Sequence, residues 1–126
     1  MSWKKSFSEG FKEPKLLLRY LGHDEEMGSH LADELFKTRV PLGFADKMRR
    51  EDLSCPLLKQ VLPVDLELKE VEGFINDPLQ ESQFNSVPGL LHKYHGRVLI
   101  TLAGSCAINC RYCFRRHFSY EDNQIN

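Results

Sequence analysis

Three of the four cysteines stand close together near the end of the sequence, at Cys106, Cys110 and Cys113. Their spacing, Cys-x3-Cys-x2-Cys, places three thiolates on one tight loop, which we call the cysteine loop (residues 106–113). Such a set suits an iron–sulfur cubane that takes three protein ligands and leaves one iron open to a small molecule. The spacing therefore predicts a metal centre that can act on a bound ligand.

Zinc is the alternative metal for these thiols. His117 follows the loop, so that the three cysteines and this histidine make a complete Cys₃His shell. Arg111, Arg115 and Arg116 beside such a shell would contact the phosphates of RNA. A third alternative is a folded chain that binds neither metal nor cofactor and offers only a surface to a partner.

The element that must position the cysteine loop is the apolar run just before it. Residues 97–103 are nearly all apolar, partly β-branched, and bounded by Gly96 and Gly104, which predicts a strand buried on both faces. Strands of this kind are typical of parallel sheets covered by helices, and α/β barrels hold their active sites beyond the carboxyl ends of such strands. Because few residues follow the loop, we expect the barrel to be incomplete in this sequence.

Short helices are predicted before that strand. The leucine-rich residues 15–20 end at Gly22, a good helix C-cap, and Ser29 is placed to cap a helix whose apolar face carries Leu31, Leu35 and Phe36. Phe44 and Met48 repeat the i, i+4 spacing.

A further apolar stripe, bounded by two prolines, predicts one more helix; its members are Leu57, Leu58, Val61 and Leu62. Residues 64–89 carry turn signals and predict an irregular wrapping segment. Cys55 is predicted to be a small buried hydrophobe rather than a ligand. The fold class is therefore α/β but mostly helical within these residues: a helical N-terminal region over residues 1–88, then the start of a barrel over residues 89–126.

Composition narrows the classes of partner. The chain has 126 residues, 41% of them hydrophobic and 28% charged, which fits one ordinary domain. A formal net charge of −1 and a pI near 6.5 give no global basic field, so neither nucleic acid nor an anionic membrane is expected as a partner. No apolar run approaches the roughly 18 residues of a membrane span, and we expect a cytoplasmic protein with reduced cysteines.

The residue before the third cysteine is aromatic, Tyr112. The pattern Cys-x3-Cys-x-aromatic-Cys resembles the signature of the radical S-adenosylmethionine (SAM) superfamily. The resemblance implies a [4Fe-4S] cluster held by the three cysteines, with S-adenosylmethionine bound at the open iron. It also implies that Tyr112 packs on the adenine of that cofactor.

A closer resemblance covers roughly residues 39–120. The segments GLLHKYHGRVL (89–99) and FRRHF (114–118), together with RVP (39–41) and residues 52–63, resemble the lysine 2,3-aminomutase family. They are most similar to the branch that makes β-lysine for modification of translation elongation factor P; Ser119 departs from it, because proline is expected there. The resemblance implies an isomerase that depends on S-adenosylmethionine and pyridoxal 5′-phosphate and moves the amino group of L-lysine from C2 to C3.

The same resemblance assigns roles to four more residues. Lys93, Tyr94 and Arg97 match the contacts to the phosphate of pyridoxal phosphate, and two cations with a phenol suit that group. Arg115 matches the arginine that binds the substrate carboxylate. The family's catalytic lysine lies on later strands, so no catalytic residue is assigned within this chain, and we expect the chain alone to be inactive. The resemblance also implies an electron donor, such as a reductase or flavodoxin, and allows a homo-oligomer.

Overall fold

The computed structural model describes residues 2–117. Contacts divide the chain into two units. One, the helical unit, comprises Met1–Lys69 and Ala107–Cys113. The other, the hairpin unit, comprises Glu70–Cys106 and the residues from Phe114 onward. The chain therefore leaves the helical unit after Lys69 and returns to it for most of the cysteine loop.

Short α-helices and 3₁₀ turns build the helical unit. The α-helices are α1 (Trp3–Ser8), α2 (Pro14–Leu21), α3 (His30–Leu35), α4 (Leu42–Ala45) and α5 (Pro56–Val61), and the 3₁₀ helices are Glu25–Met27 and Asp65–Leu68. Their core residues are Leu17, Leu18, Leu21, Val40, Ala45, Met48, Cys55, Leu58, Val61 and Leu62. The prediction that Cys55 is a buried hydrophobe is confirmed.

Helix α2 ends where its sequence predicts and begins one residue before the predicted segment. Pro14 occupies the first turn, where its missing N–H is not needed. Gly22 follows the last residue with φ 82°, in the left-handed conformation that glycine adopts freely. The N–H of His23 donates to the carbonyl of Leu18 over 2.9 Å, which satisfies a carbonyl at the helix end.

Helix α3 begins as predicted, but the two leucines of its apolar face are exposed. Ser29 Oγ accepts from the N–H of Ala32, yet Leu31 and Leu35 are 61% and 66% exposed. The reason is the carboxylate of Asp33, which is buried because it accepts hydrogen bonds from the N–H and hydroxyl of Thr38. In a helix of only six residues, this polar contact turns the leucines toward solvent.

The other helical predictions hold with one change. Helix α5 buries Leu58 and Val61, and Pro63 follows it. Helix α4 ends at Ala45, before Met48, so that Phe44 and Met48 are not one turn apart on a continuous helix. Both side chains nevertheless pack at the core.

The strand that was predicted to belong to a parallel barrel lies in an antiparallel hairpin instead. Strand β2 (Arg97–Ile100) pairs antiparallel with β1 (Leu90–Tyr94), with Leu91 opposite Leu99. Its apolar residues are about half exposed rather than buried on both faces. The two-residue connection between the strands ends at Gly96, with φ 78°, and so favours a local hairpin over a parallel crossover. A barrel is not present among the described residues.

The segment between the helical unit and the hairpin is irregular, as predicted. One 3₁₀ helix, Glu81–Phe84, interrupts it, and a second 3₁₀ helix, Phe114–Arg116, follows the cysteine loop. Within residues 2–117, no helix has the length and apolar character needed to cross a membrane.

Candidate metal centre

The backbone of the cysteine loop is bonded to the helical unit at several points. The N–H of Asn109 donates to the carbonyl of Arg39 over 3.0 Å, and its side-chain amide donates to the carbonyl of Lys37 over 2.8 Å. The N–H of Arg111 donates to the carbonyl of Gln60 over 2.8 Å. Ile108 packs against the core. The middle of the loop is therefore held by a folded scaffold.

Arg111 is buried in the helical unit and paired with a carboxylate. Its guanidinium donates from Nε to both oxygens of Glu67, at 3.0 and 3.1 Å, and from Nη2 to Oε2 at 2.8 Å. The same guanidinium donates to the carbonyls of Ala32 and Phe36 at the end of α3. The carbonyl of Ala32 also accepts from the N–H of Phe36. A cation is favourable at this end of α3, because the carbonyls of the last turn form the negative end of the helix.

Sequence reasoning missed this role. It placed Arg111 among the phosphate contacts of the zinc alternative, whereas only 7% of the residue is exposed and its guanidinium is bonded to Glu67. No local signal pairs two residues so far apart in the sequence. The arginine therefore anchors the cysteine loop and does not face an RNA.

Two of the three loop cysteines share a turn. The N–H of Cys113 donates to the carbonyl of Cys110 over 2.9 Å, and Cys110 Sγ accepts from the side-chain amide of Gln60 over 3.0 Å. Cys110 and Cys113 are half-buried, whereas Cys106 is exposed, and none of the three forms a disulfide. Cys106 belongs to the hairpin unit, and Cys110 and Cys113 belong to the helical unit.

The cysteine loop supplies donors for a metal centre, but the described residues do not show a complete metal site. Among residues 2–117, no group of three or more His, Cys, Asp or Glu side chains is arranged to hold a metal ion. The donor set nevertheless fits the cluster, since three cysteines without disulfides lie on one short loop and an amide N–H points at one of their sulfurs. His117, the fourth ligand of the zinc alternative, is exposed.

Tyr112 lies beside these thiols. The negative charge of Cys110 raises the pKa of the Tyr112 phenol, with further contributions from lost solvent contact, a hydrogen bond to Cys110 and the charge of Cys113. The side chain is otherwise open, with 77% of the residue exposed. An exposed aromatic ring next to Cys110 is available to stack on a planar group.

The three predicted phosphate contacts lie together in the hairpin unit. Lys93, Tyr94 and Arg97 line a cavity of about 190 Å³. The Arg97 guanidinium stands 4.6 Å from the centre of the Tyr94 ring, and Lys93 Nζ stands 5.8 Å from it. Two cations and a phenol fit a phosphate dianion. Glu81 also lines this cavity, and its negative charge opposes the binding of an anion.

The remaining predicted residue, Arg115, is half-buried in the 3₁₀ helix Phe114–Arg116. Phe118 and Ser119, which entered the comparison of motifs, lie outside the described residues.

Comparison with known proteins gives one consistent result. No family model matches the chain. The L-lysine 2,3-aminomutase of Haemophilus influenzae is 45% identical over 99% of this chain, and that of Escherichia coli K12 is 46% identical over 98%. The enzyme of the same name from Clostridium subterminale is 41% identical over 79% of this chain. The chain spans 38%, 37% and 24% of the length of these three relatives, respectively.

Proposed function

The chain belongs to the L-lysine 2,3-aminomutase family of isomerases, and from that premise we propose that the whole protein converts α-lysine to β-lysine. The observation that carries the proposal is the extent of the similarity, which runs over nearly the whole chain and includes the cysteine loop. The lysine- and arginine-containing motifs KYHGR and RRHF support a finer assignment, in which the β-lysine serves to modify translation elongation factor P in the cytoplasm.

Cys106, Cys110 and Cys113 would hold a [4Fe-4S] cluster, and S-adenosylmethionine would occupy its open iron. When bound, the cluster supplies one-electron chemistry to the active site. The chain's own contribution is to hold the sulfurs, with Arg111 and Asn109 fixing the backbone between them. Tyr112 would cover one face of the adenine with its exposed ring.

Pyridoxal phosphate would be held through its phosphate by Lys93, Tyr94 and Arg97. Charge-assisted hydrogen bonds from the two cations orient the phosphate, and the phenol adds a neutral donor. Arg115 would bind the carboxylate of L-lysine, since a guanidinium can donate two parallel hydrogen bonds to it. The electron donor would be a reductase or flavodoxin.

Anaerobic iron–sulfur reconstitution of the purified chain tests the metal assignment. We expect about four irons per chain and, after reduction, an electron paramagnetic resonance signal that changes when S-adenosylmethionine is added. Cys110→Ala should lose most of the iron. Cys55→Ala is the matched control, because Cys55 is buried in the core and should leave the iron content unchanged.

Two results would contradict the metal assignment. About one tightly held zinc per chain that survives reconstitution and is lost in His117→Ala would establish the Cys₃His site instead. The same iron content in Cys110→Ala and the unaltered chain would also contradict the proposal.

A further inference from the structure

Gln60 contacts two consecutive residues of the cysteine loop. Its side-chain Nε2 donates a hydrogen bond to Cys110 Sγ over 3.0 Å, and its backbone carbonyl accepts from the N–H of Arg111 over 2.8 Å. The first contact fixes the sulfur and the second fixes the peptide that follows it. Gln60 thus fixes the position of Cys110 relative to α5 through both its side chain and its backbone.

The helix that carries Gln60 is itself well fixed. Leu58 and Val61 on either side of it are fully buried, and the N–H groups of Lys59 and Leu62 donate to the carbonyls of Cys55 and Leu58. Gln60 is half-buried at the edge of this core. Its amide is therefore aimed at the sulfur by a rigid element.

An N–H aimed at a cluster sulfur has a definite electrostatic effect. The reduced cluster carries one more negative charge than the oxidised cluster, and part of that charge lies on the sulfurs. A donor hydrogen near one sulfur therefore stabilises the reduced form more, which raises the reduction potential.

We propose that Gln60 is a positioning residue whose amide holds Cys110 and raises the reduction potential of the cluster. The inference rests on the proposed function, since it requires the cluster to bind at Cys106, Cys110 and Cys113. It goes beyond that function because it states that Gln60, a residue outside the cysteine loop, helps to set the reduction potential of the cluster. The electron itself comes from an external one-electron reductant, and one electron enters each cluster.

Two substitutions at the same position separate this electrostatic role from a structural one. Gln60→Met keeps a similar length but has no N–H, whereas Gln60→Lys offers a charged donor of similar reach. In reconstituted chains poised at a series of potentials, Gln60→Met should lower the ratio of reduced to oxidised cluster by about tenfold, or about 59 mV for a one-electron couple. Gln60→Lys should keep or raise that ratio.

Gln83→Met is the matched control. Gln83 is also a glutamine that donates to another side chain, Gln80, but it lies in the hairpin unit and is exposed. Its replacement should leave the midpoint potential unchanged. Iron content and the far-ultraviolet circular dichroism spectrum are measured for every variant, so that a misfolded protein is recognised.

Each failure has its own signature. Equal midpoint potentials for Gln60→Met and the unaltered chain, at equal iron content, would overturn this inference and leave the proposed function standing. A fall in potential of the same size in both Gln60→Met and Gln60→Lys would also overturn it, because only a structural disturbance moves both variants alike. An unaltered chain that takes up no cluster would overturn the proposed function together with the inference.

Discussion

Arg111 joins the cysteine loop to three separate parts of the helical unit. Its guanidinium bonds to Glu67 and to the carbonyls that end α3, and its N–H bonds to Gln60. Because the pair with Glu67 is largely buried, removal of one partner leaves an uncompensated charge out of contact with water. The stability of the helical unit therefore depends on a residue of the cysteine loop.

Arg111→Met should lower the free energy of unfolding of the helical unit by about 3–5 kcal/mol, the range for breaking a buried ion pair. The double variant Arg111→Met with Glu67→Met should lose less, since no charge is left unpaired. Urea unfolding followed by circular dichroism measures both. Arg49→Met is the control, because Arg49 and Asp52 form an exposed ion pair, and exposed pairs contribute little to stability. Equal losses in Arg111→Met and this control would contradict the prediction.

Lys93→Met should weaken the binding of pyridoxine 5′-phosphate to the hairpin unit by about tenfold or more, since a charged hydrogen bond contributes about 1.5–3 kcal/mol. This ligand carries the phosphate without the aldehyde that reacts with surface lysines. Nuclear magnetic resonance titration gives the affinity. His95→Ala removes an exposed neighbour in the turn and should have no effect. Unchanged binding in Lys93→Met would show that Lys93 does not belong to the proposed phosphate site.

At the scale of elements, the sequence predicted those helix ends that depend on a few neighbouring residues. The ends of α2 and α5 follow from Gly22 and from the prolines, and the start of α3 follows from Ser29. The buried face of α3 and the pairing of β2 depend on contacts that are remote or on the other strand, and periodicity carries no information about them. The cysteines were found by their spacing, whereas Gln60, Glu67 and Arg111 meet only through tertiary structure.

Gly22→Ala should destabilise the helical unit by about 1–2 kcal/mol, because an L residue other than glycine is strained at a φ of 82°. The added Cβ would also stand 3.2 Å from Glu51 Cγ. Gly22→Asn should cost less than Gly22→Ala, since asparagine tolerates the left-handed region better. Thermal unfolding ranks the three proteins, and an alanine variant as stable as the glycine protein would contradict the assigned helix end.

Helix α2 and the residue that follows α4 are linked by a hydrogen bond that depends on pH. The hydrogen bond from Tyr20 Oη to Asp46 Oδ1, 2.6 Å long, raises the pKa of Tyr20 above 10, helped by burial and the Asp46 charge and opposed by Arg50. A raised pKa in the folded chain means that the stabilisation is complete below pH 10 and is lost as the pH rises through the folded value.

The unaltered chain should therefore be more stable than Tyr20→Phe by a constant amount from pH 7 to about pH 10, and this margin should shrink at higher pH. Urea midpoints of the two proteins at pH 7, 9 and 11 measure it. A margin that grows above pH 10 would show that the phenolate, rather than the phenol, is favoured in the folded chain.

At the scale of the whole molecule, the two units differ in the number of apolar side chains that each buries. The core cluster belongs to the helical unit. In the described part of the hairpin unit, Leu91 is the buried large hydrophobe, and Val98, Leu99 and Ile100 are each about half exposed. Few buried apolar contacts mean a low free energy of local opening.

Amide hydrogen exchange should reveal that difference. The N–H of Thr101, bonded to the carbonyl of Gly89, should have a protection factor about 100-fold lower than the N–H of Leu62, bonded to the carbonyl of Leu58. Two-dimensional nuclear magnetic resonance after transfer to heavy water gives both values. Equal protection would mean that the hairpin opens only when the helical unit does.

The return of the chain to the helical unit at Ala107–Cys113 has a consequence for the order of events on the ribosome. The ribosome synthesises residues 2–69 first. Arg111, whose guanidinium bonds to Glu67 and to the end of α3, is synthesised only after the intervening segment Glu70–Cys106. Closing that segment carries an entropy penalty that rises slowly with its length. The helices of the nascent chain therefore lack their hydrogen bonds to Arg111 until residues 107–113, the last part of the helical unit, have been synthesised.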